Sequence, residues 1–238
     1  MKKITLLLLA MVIVNFIQAQ LFTIGNQEIG FIYVGPKIGM GGAWVSNLKL
    51  DDEETGTLFT YQFGVVGKFG LTNRLSIQPE FIFSRKGSKV KSDEFDYEGK
   101  RFADYIGIPI LAKLSFIKIG DFRLHGSGGI YSNVTLDQKS VYEYSFETFE
   151  HSIEKEFYKK VDFGFSFGGG AEYELDYGLI VGEILIEHGA VDIYTNDIST
   201  DSNRNTTVSF ATTYLFDIVS LKSKSLKEKE APPTEEME

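Results

Sequence analysis

Along most of its length the chain alternates, residue by residue, between large apolar side chains and small or polar ones. It does so in eight separate blocks, at about 31–46, 58–70, 74–86, 102–117, 121–134, 159–174, 178–190 and 205–216. A period of two is the repeat of an extended strand, whose successive side chains point to opposite faces. Over 58–70 one face carries Phe59, Tyr61, Phe63, Val65 and Phe69, and the other Thr60, Gln62, Gly64, Val66 and Lys68. Over 74–84 Leu75, Ile77, Pro79, Phe81 and Phe83 oppose Ser76, Gln78, Glu80, Ile82 and Ser84. Phe163, Phe165, Phe167, Ala171 and Tyr173 oppose Asp162, Gly164, Ser166, Gly168, Gly170, Glu172 and Glu174. Val208, Phe210, Thr212, Tyr214 and Phe216 oppose Thr207, Ser209, Ala211 and Thr213.

The connections between blocks alternate in length. Short turns fall at 71–73, 118–120 and 175–177, and long polar loops at 47–57, 87–101, 135–158 and 191–204. Short turns on one side and long loops on the other are the mark of an up-and-down barrel across a membrane. The expectation is an all-β, eight-stranded antiparallel transmembrane β-barrel over 31–216. An even number of strands puts both termini on the short-turn side, the periplasm. A soluble sandwich or ligand-binding barrel would alternate too. Two details favour the membrane. The polar face is rich in Gly and Ser, which suits a crowded lumen. Aromatics such as Phe59, Tyr61, Tyr173, Tyr214 and Phe216 sit near strand ends, as interfacial girdles do.

The N-terminus reads as a secretory signal over 1–19, exported by the general secretory route. Lys2 and Lys3 precede an apolar run from Ile4 to Ile17, and Ala19-Gln20 offers a cleavage point. That run is shorter than the ~20 residues a spanning helix needs. A short segment over 20–30 leads into the barrel. Residues 217–238 read as a disordered periplasmic tail, in which Lys222, Lys224, Lys227 and Lys229 precede Pro232, Pro233, Glu235, Glu236 and Glu238. So little apolar surface cannot offset the entropy of ordering it. Without any Cys there is no disulfide framework, thiol nucleophile or Cys-based metal site. A net charge of −9 argues against nucleic acid as a partner.

Two runs carry a family resemblance. Ser76-Ile-Gln-Pro-Glu-Phe-Ile-Phe-Ser-Arg-Lys-Gly87 and Asp104-Tyr-Ile-Gly-Ile-Pro-Ile-Leu-Ala-Lys113 resemble the third and fourth strands of the PorT-like outer-membrane β-barrel proteins. Asp162–Ala171 and Glu183–Ile193 resemble the sixth and seventh more loosely. The resemblance implies an outer-membrane barrel, and it carries a link to protein secretion through the member that names the family. The tail after Phe216 departs from the family's usual ending on an aromatic strand.

No pattern in the chain assigns a catalytic, cofactor or metal site. His151 lies beside Glu150, Ser152 and Glu154, which offers an outer-membrane hydrolase as an alternative. In so polar a loop, however, such neighbours are expected by chance. Gly35-Pro-Lys-Ile-Gly-Met-Gly-Gly42 mimics a dinucleotide loop but lies inside a strand pattern with no helix after it. Asp51, Asp52, Glu53 and Glu54, and Asp192, Asp197 and Asp201, lack the ligand spacing of a calcium loop. On the inward face, Lys37, Lys68, Lys113 and Arg123 accompany Glu80, Asp162, Glu172, Glu174, Glu183 and Glu187. An eight-stranded barrel is just wide enough for side chains to fill, so these charges are expected to pair and plug the lumen. Tyr142, Tyr144, Phe146, Phe149, Phe157 and Tyr158, in the longest loop, are the candidate interaction surface. The expected function is non-enzymatic, a structural or surface-interaction role in the envelope. The expected partners are outer-membrane lipid and an envelope or secretion protein.

Overall fold

A computed structural model of the chain describes residues 23–24, 27–28, 31–46, 54–92, 97–144, 148–152, 159–194 and 203–218. The strands are β1 (Thr23–Ile24), β2 (Gln27–Glu28), β3 (Ile32–Ser46), β4 (Glu54–Gly56), β5 (Leu58–Gly70) and β6 (Leu75–Ser92). They continue with β7 (Tyr97–Ile119), β8 (Phe122–Tyr144), β9 (Thr148–Ser152), β10 (Val161–Leu175), β11 (Gly178–Gly189) and β12 (Arg204–Asp217).

Eight of these strands form a ring. β3, β5, β6, β7, β8, β10, β11 and β12 pair in that order, each antiparallel to its neighbours. The ring closes where β12 pairs with β3, with Phe210 opposite Met40 and Asp217 opposite Tyr33. Closure leaves no strand edge among the eight, which is what a sheet in hydrocarbon requires, since lipid offers no partner to a free N–H or C=O. The glycine-rich run of β3 belongs to this wall. A Cβ at Gly41 would lie 2.0 Å from the carbonyl oxygen of Val208 on β12, so the small residue admits the neighbouring backbone and cradles no ligand.

The strands keep the alternation of the sequence. In β6, Ser76, Gln78, Glu80, Ile82 and Ser84 are buried, while Phe81 is 56 % exposed. Outward-facing Ile38, Phe59, Phe167, Ile184 and Phe210 are likewise more than half exposed. These residues belong to a continuous apolar outer wall. Aromatic stacks mark its two ends. Phe63 and Tyr61 stack on Phe83 toward the long-loop end. Phe122 with Tyr173, and Tyr214 with Phe216, lie at the short-turn end.

Three short turns lie at one end of the ring. The β7–β8 turn is Gly120-Asp121, with Gly120 at φ +60°, a left-handed conformation that a side chain disfavours. The segments 87–101 and 135–158, expected as loops, contain much regular structure. β6 runs on to Ser92, β7 begins at Tyr97, and β8 extends to Tyr144. β4 adds to β6 at Lys89–Lys91, and β9 to β8 at Lys139–Glu143. The result is a sheet in the order β4-β6-β7-β8-β9 standing beyond the ring at the long-loop end. Above the apolar wall the contrast between faces fades, so a polar hairpin looks like a polar loop.

Candidate functional site

The interior of the ring holds most of the charges that strand parity assigns inward. Lys37 on β3 bonds both carboxylate oxygens of Glu80 on β6, at 3.0 and 2.8 Å. Its Nζ also lies 2.9 Å from Glu183 Oε1 on β11. Lys113 on β7 meets the other oxygen of Glu183 at 2.5 Å. Lys68 on β5 pairs with Glu172 on β10. None of these partners lies on neighbouring strands, so every pair crosses the interior. Gln78 donates to Glu80 at 2.6 Å. His125 sits between the two halves, its Nδ1 3.7 Å from Glu172 and its Nε2 3.7 Å from Glu183. The side chains of Lys37, Lys68, Lys113, Glu80, Glu172 and Glu183 are each at most 3 % exposed. Three ammonium groups thus face three carboxylates in a region closed to water, where pairing is what makes burial of charge tolerable.

A second cluster lies nearer the long-loop end. Lys86 meets Glu187 at 2.9 Å and Asp162 at 3.9 Å, with its Nζ 4.1 Å from the centre of the Tyr131 ring. Asp162 also accepts from the Asn205 side-chain amide at 3.2 Å, and from Asn133 and Tyr131 at 3.5 Å. Toward the short-turn end, Val66, Leu179, Val181 and Leu215 pack together inside the ring, with Tyr33 against them.

Arg123 and Glu174 depart from the expected position. Their parity is inward, but they lie where the wall ends. They meet at 3.4 Å, with side chains 23 % and 45 % exposed, so they belong to the rim and not to the interior. Parity fixes which side a residue faces and says nothing of its depth. Lys86 and His125 complete the interior without having been singled out. Both signals were in the sequence, since Lys86 continues the face of Ser84, and His125 that of Arg123.

Of the candidate interaction residues, Tyr142 packs within the extended sheet. Its hydroxyl accepts from Arg101 Nε at 2.9 Å, and its ring meets that of Tyr97 edge-on at 5.5 Å. The side chains of Tyr144 and Phe149, and Phe146, Phe157 and Tyr158 altogether, lie outside the described residues, as does the His151 side chain. Among the described residues no cluster of three or more His, Asp or Glu is placed to hold a metal. Of the acidic loop residues, Glu54 begins β4 opposite Lys91, Asp192 accepts from the backbone N–H of Tyr194 at 3.0 Å, and Asp51, Asp52, Glu53, Asp197 and Asp201 lie outside the described residues.

A closed ring of eight strands, an apolar outer wall with aromatic ends, and a charged interior define an integral outer-membrane β-barrel. The chain belongs to the family described as outer membrane protein beta-barrel domain, whose sequence model matches residues 18–189. No curated protein matches the sequence. Among solved structures, the chain is similar to the outer membrane protein OprG from Pseudomonas aeruginosa, with 13% identity and a TM-score of 0.45, covering 81% of this chain and 96% of that one. Neisserial surface protein A gives 10% identity and a TM-score of 0.42 over 77% and 96% of the two chains. Ail, the attachment invasion locus protein of Yersinia pestis, in complex with the heparin analogue sucrose octasulfate, gives 12%, 0.37, 79% and 99%.

Proposed function

We propose that this outer-membrane barrel is plugged by its own side chains and serves a non-enzymatic, structural or surface-interaction role in the cell envelope. The observation that carries the reading is the set of buried ion pairs joining opposite walls. Each lysine sits on at least one carboxylate, and the apolar cluster around Leu215 fills the section nearer the short turns. Charges of both signs paired across the interior leave no single-sign path for an ion. In this reading residues 1–19 direct export, both termini of the barrel chain lie on the periplasmic side, and the extended sheet faces outward. Kinship to the PorT-like proteins rests on the runs Ser76–Gly87 and Asp104–Lys113, and it makes an envelope protein tied to secretion the favoured partner. In planar bilayers the purified protein should give no stable conductance. A reproducible, ion-selective open state would overturn the plugged reading and put a pore in its place.

A further inference from the structure

The β7–β8 hairpin overhangs the ring at the short-turn end. The β6–β7 pairing stops at Leu75 opposite Leu114, with the Ser115 N–H on the Arg74 carbonyl at 2.8 Å, while β7 runs on to Ile119. The other side of the hairpin stays covered by β10, whose Tyr173 lies opposite Phe122. Past Ser115 the β6 side of β7 bonds no backbone group among the described residues. Hydrocarbon tolerates no such run, so the overhang belongs at the depth of the lipid headgroups, where the Phe122–Tyr173 ring pair also lies.

Between the overhang and the β5–β6 turn is a cavity of about 430 Å³. Arg74, Lys118 and Arg123 line it together with Phe31 and Phe116, and no carboxylate of the described residues does. Lys118 and Arg123 share Glu174, at 3.8 and 3.4 Å. Asp121, in the hairpin turn, is the second acid on this side, and its carbonyl accepts the Glu174 N–H at 3.0 Å. The exposed Arg74 side chain meets no carboxylate among the described residues. Three cations against two carboxylates leave one positive charge in excess. Asp176 and Asp217 lie further round the mouth, where the Asp217 N–H bonds the Tyr177 carbonyl, and neither lines the cavity. Beside the cavity Leu114, Phe116 and Ile117 are each more than two-fifths exposed and continue the apolar outer wall.

We propose that this notch holds one anionic phospholipid, its phosphate on Arg74 and Lys118 and its acyl chains along Leu114 and Ile117. The excess of one positive charge is the complement of one phosphodiester. A guanidinium fork grips phosphate oxygens in pairs, and the ammonium adds a point charge. Because the site opens onto the wall, a phosphate that carries acyl chains is favoured over the free ion. A zwitterionic phospholipid would bring its own ammonium to a site already in cationic excess, and so binds less well. With the short turns in the periplasm, as read above, the lipid belongs to the inner leaflet of the outer membrane. The site itself does not depend on that orientation.

The test uses the whole protein purified in detergent, with folding checked by heat-modifiable gel mobility. It is titrated with phosphatidylglycerol or phosphatidylethanolamine, and bound lipid is counted by native mass spectrometry. One phosphatidylglycerol per chain should bind about ten-fold more tightly than phosphatidylethanolamine, the worth of one charge-assisted contact. Arg74→Gln, at an exposed position, should abolish that preference, and Asp121→Asn should strengthen it. Lys100→Gln, in the sheet at the far end of the barrel, should leave it unchanged. Inorganic phosphate should not displace the lipid. Equal binding of the two lipids, a preference that survives Arg74→Gln, or displacement by inorganic phosphate would each overturn the proposal. A barrel inserted with its short turns outward would still bind in detergent, so failure of the site and failure of the orientation are told apart.

Discussion

Lys37 touches two carboxylates from two different strands, and that geometry decides what its loss would do. Among the described residues, removing it leaves Glu80 bonded to Gln78 and leaves Glu183 to Lys113. An uncompensated buried charge costs about 3–5 kcal/mol. Lys37→Met should therefore lower stability by about that amount, measured by urea unfolding in lipid vesicles. Adding Glu80→Gln should restore part of the loss, because the stranded charge goes with it. A single variant as stable as the parent would mean that the pair is not buried as described. Outward positions obey the opposite rule. Phe210 is 55 % exposed midway along β12, so in water Phe210→Arg would be harmless. In a bilayer the same change should cost about 2–4 kcal/mol. The same unfolding assay separates the two, and no loss would argue against burial of this wall in lipid. At this scale the sequence is informative through parity alone. Lys37, Lys68, Glu80, Lys113, Glu172 and Glu183 could be assigned to one face because each stands among small or polar residues two apart. Which lysine meets which carboxylate depends on how far each strand is shifted against the next, and no local pattern records that.

Element boundaries were legible wherever lipid makes the two faces differ. β5 begins and ends where its alternation does, and β3, β11 and β12 depart from theirs by no more than a residue or so. The upper parts of β6, β7 and β8 were not legible for the same reason in reverse. There Lys89 lies opposite Lys100, and Lys91 opposite Glu98. Water on the outer face replaces lipid, so the apolar half of the pattern disappears while the backbone pairing continues. This sheet and the ring are separable in principle. The pairing of β8 with β10 runs from Phe122 to Val134, well below the extension. Deleting residues 142–156 removes β9 and the tip of β8, leaves the pairing of β8 with β10 intact, and keeps its pairing with β7 up to Val141. The shortened protein should still reach the membrane and keep the heat-modifiable gel mobility of a folded barrel. Any surface interaction found for the full chain should be lost with the deletion. A barrel that no longer assembles would show instead that the extension helps the ring to form, and a partner bound at full affinity would place the contact elsewhere.

For the molecule as a whole, the decisive contact is the one between the last strand and the first. Seven of the eight ring pairings join ring strands that are consecutive along the chain, while β12 and β3 come from opposite ends of the barrel sequence. Until they meet, β3 and β12 both present open edges, and in lipid an open edge leaves its backbone groups without partners. Closure of so long a loop is also the slowest step for an antiparallel sheet to reach. The β12 strand should therefore be indispensable and whatever follows it dispensable. It carries the outward Val208, Phe210 and Phe216 and the inward Leu215 that packs on Val66. A stop codon after Ile218 should yield a chain that fractionates with the outer membrane and shifts on heating like the parent. A stop after Asn203 removes β12 and should abolish both properties. Failure of the Ile218 truncation to reach the membrane would move the assembly signal out of β12 and into the tail.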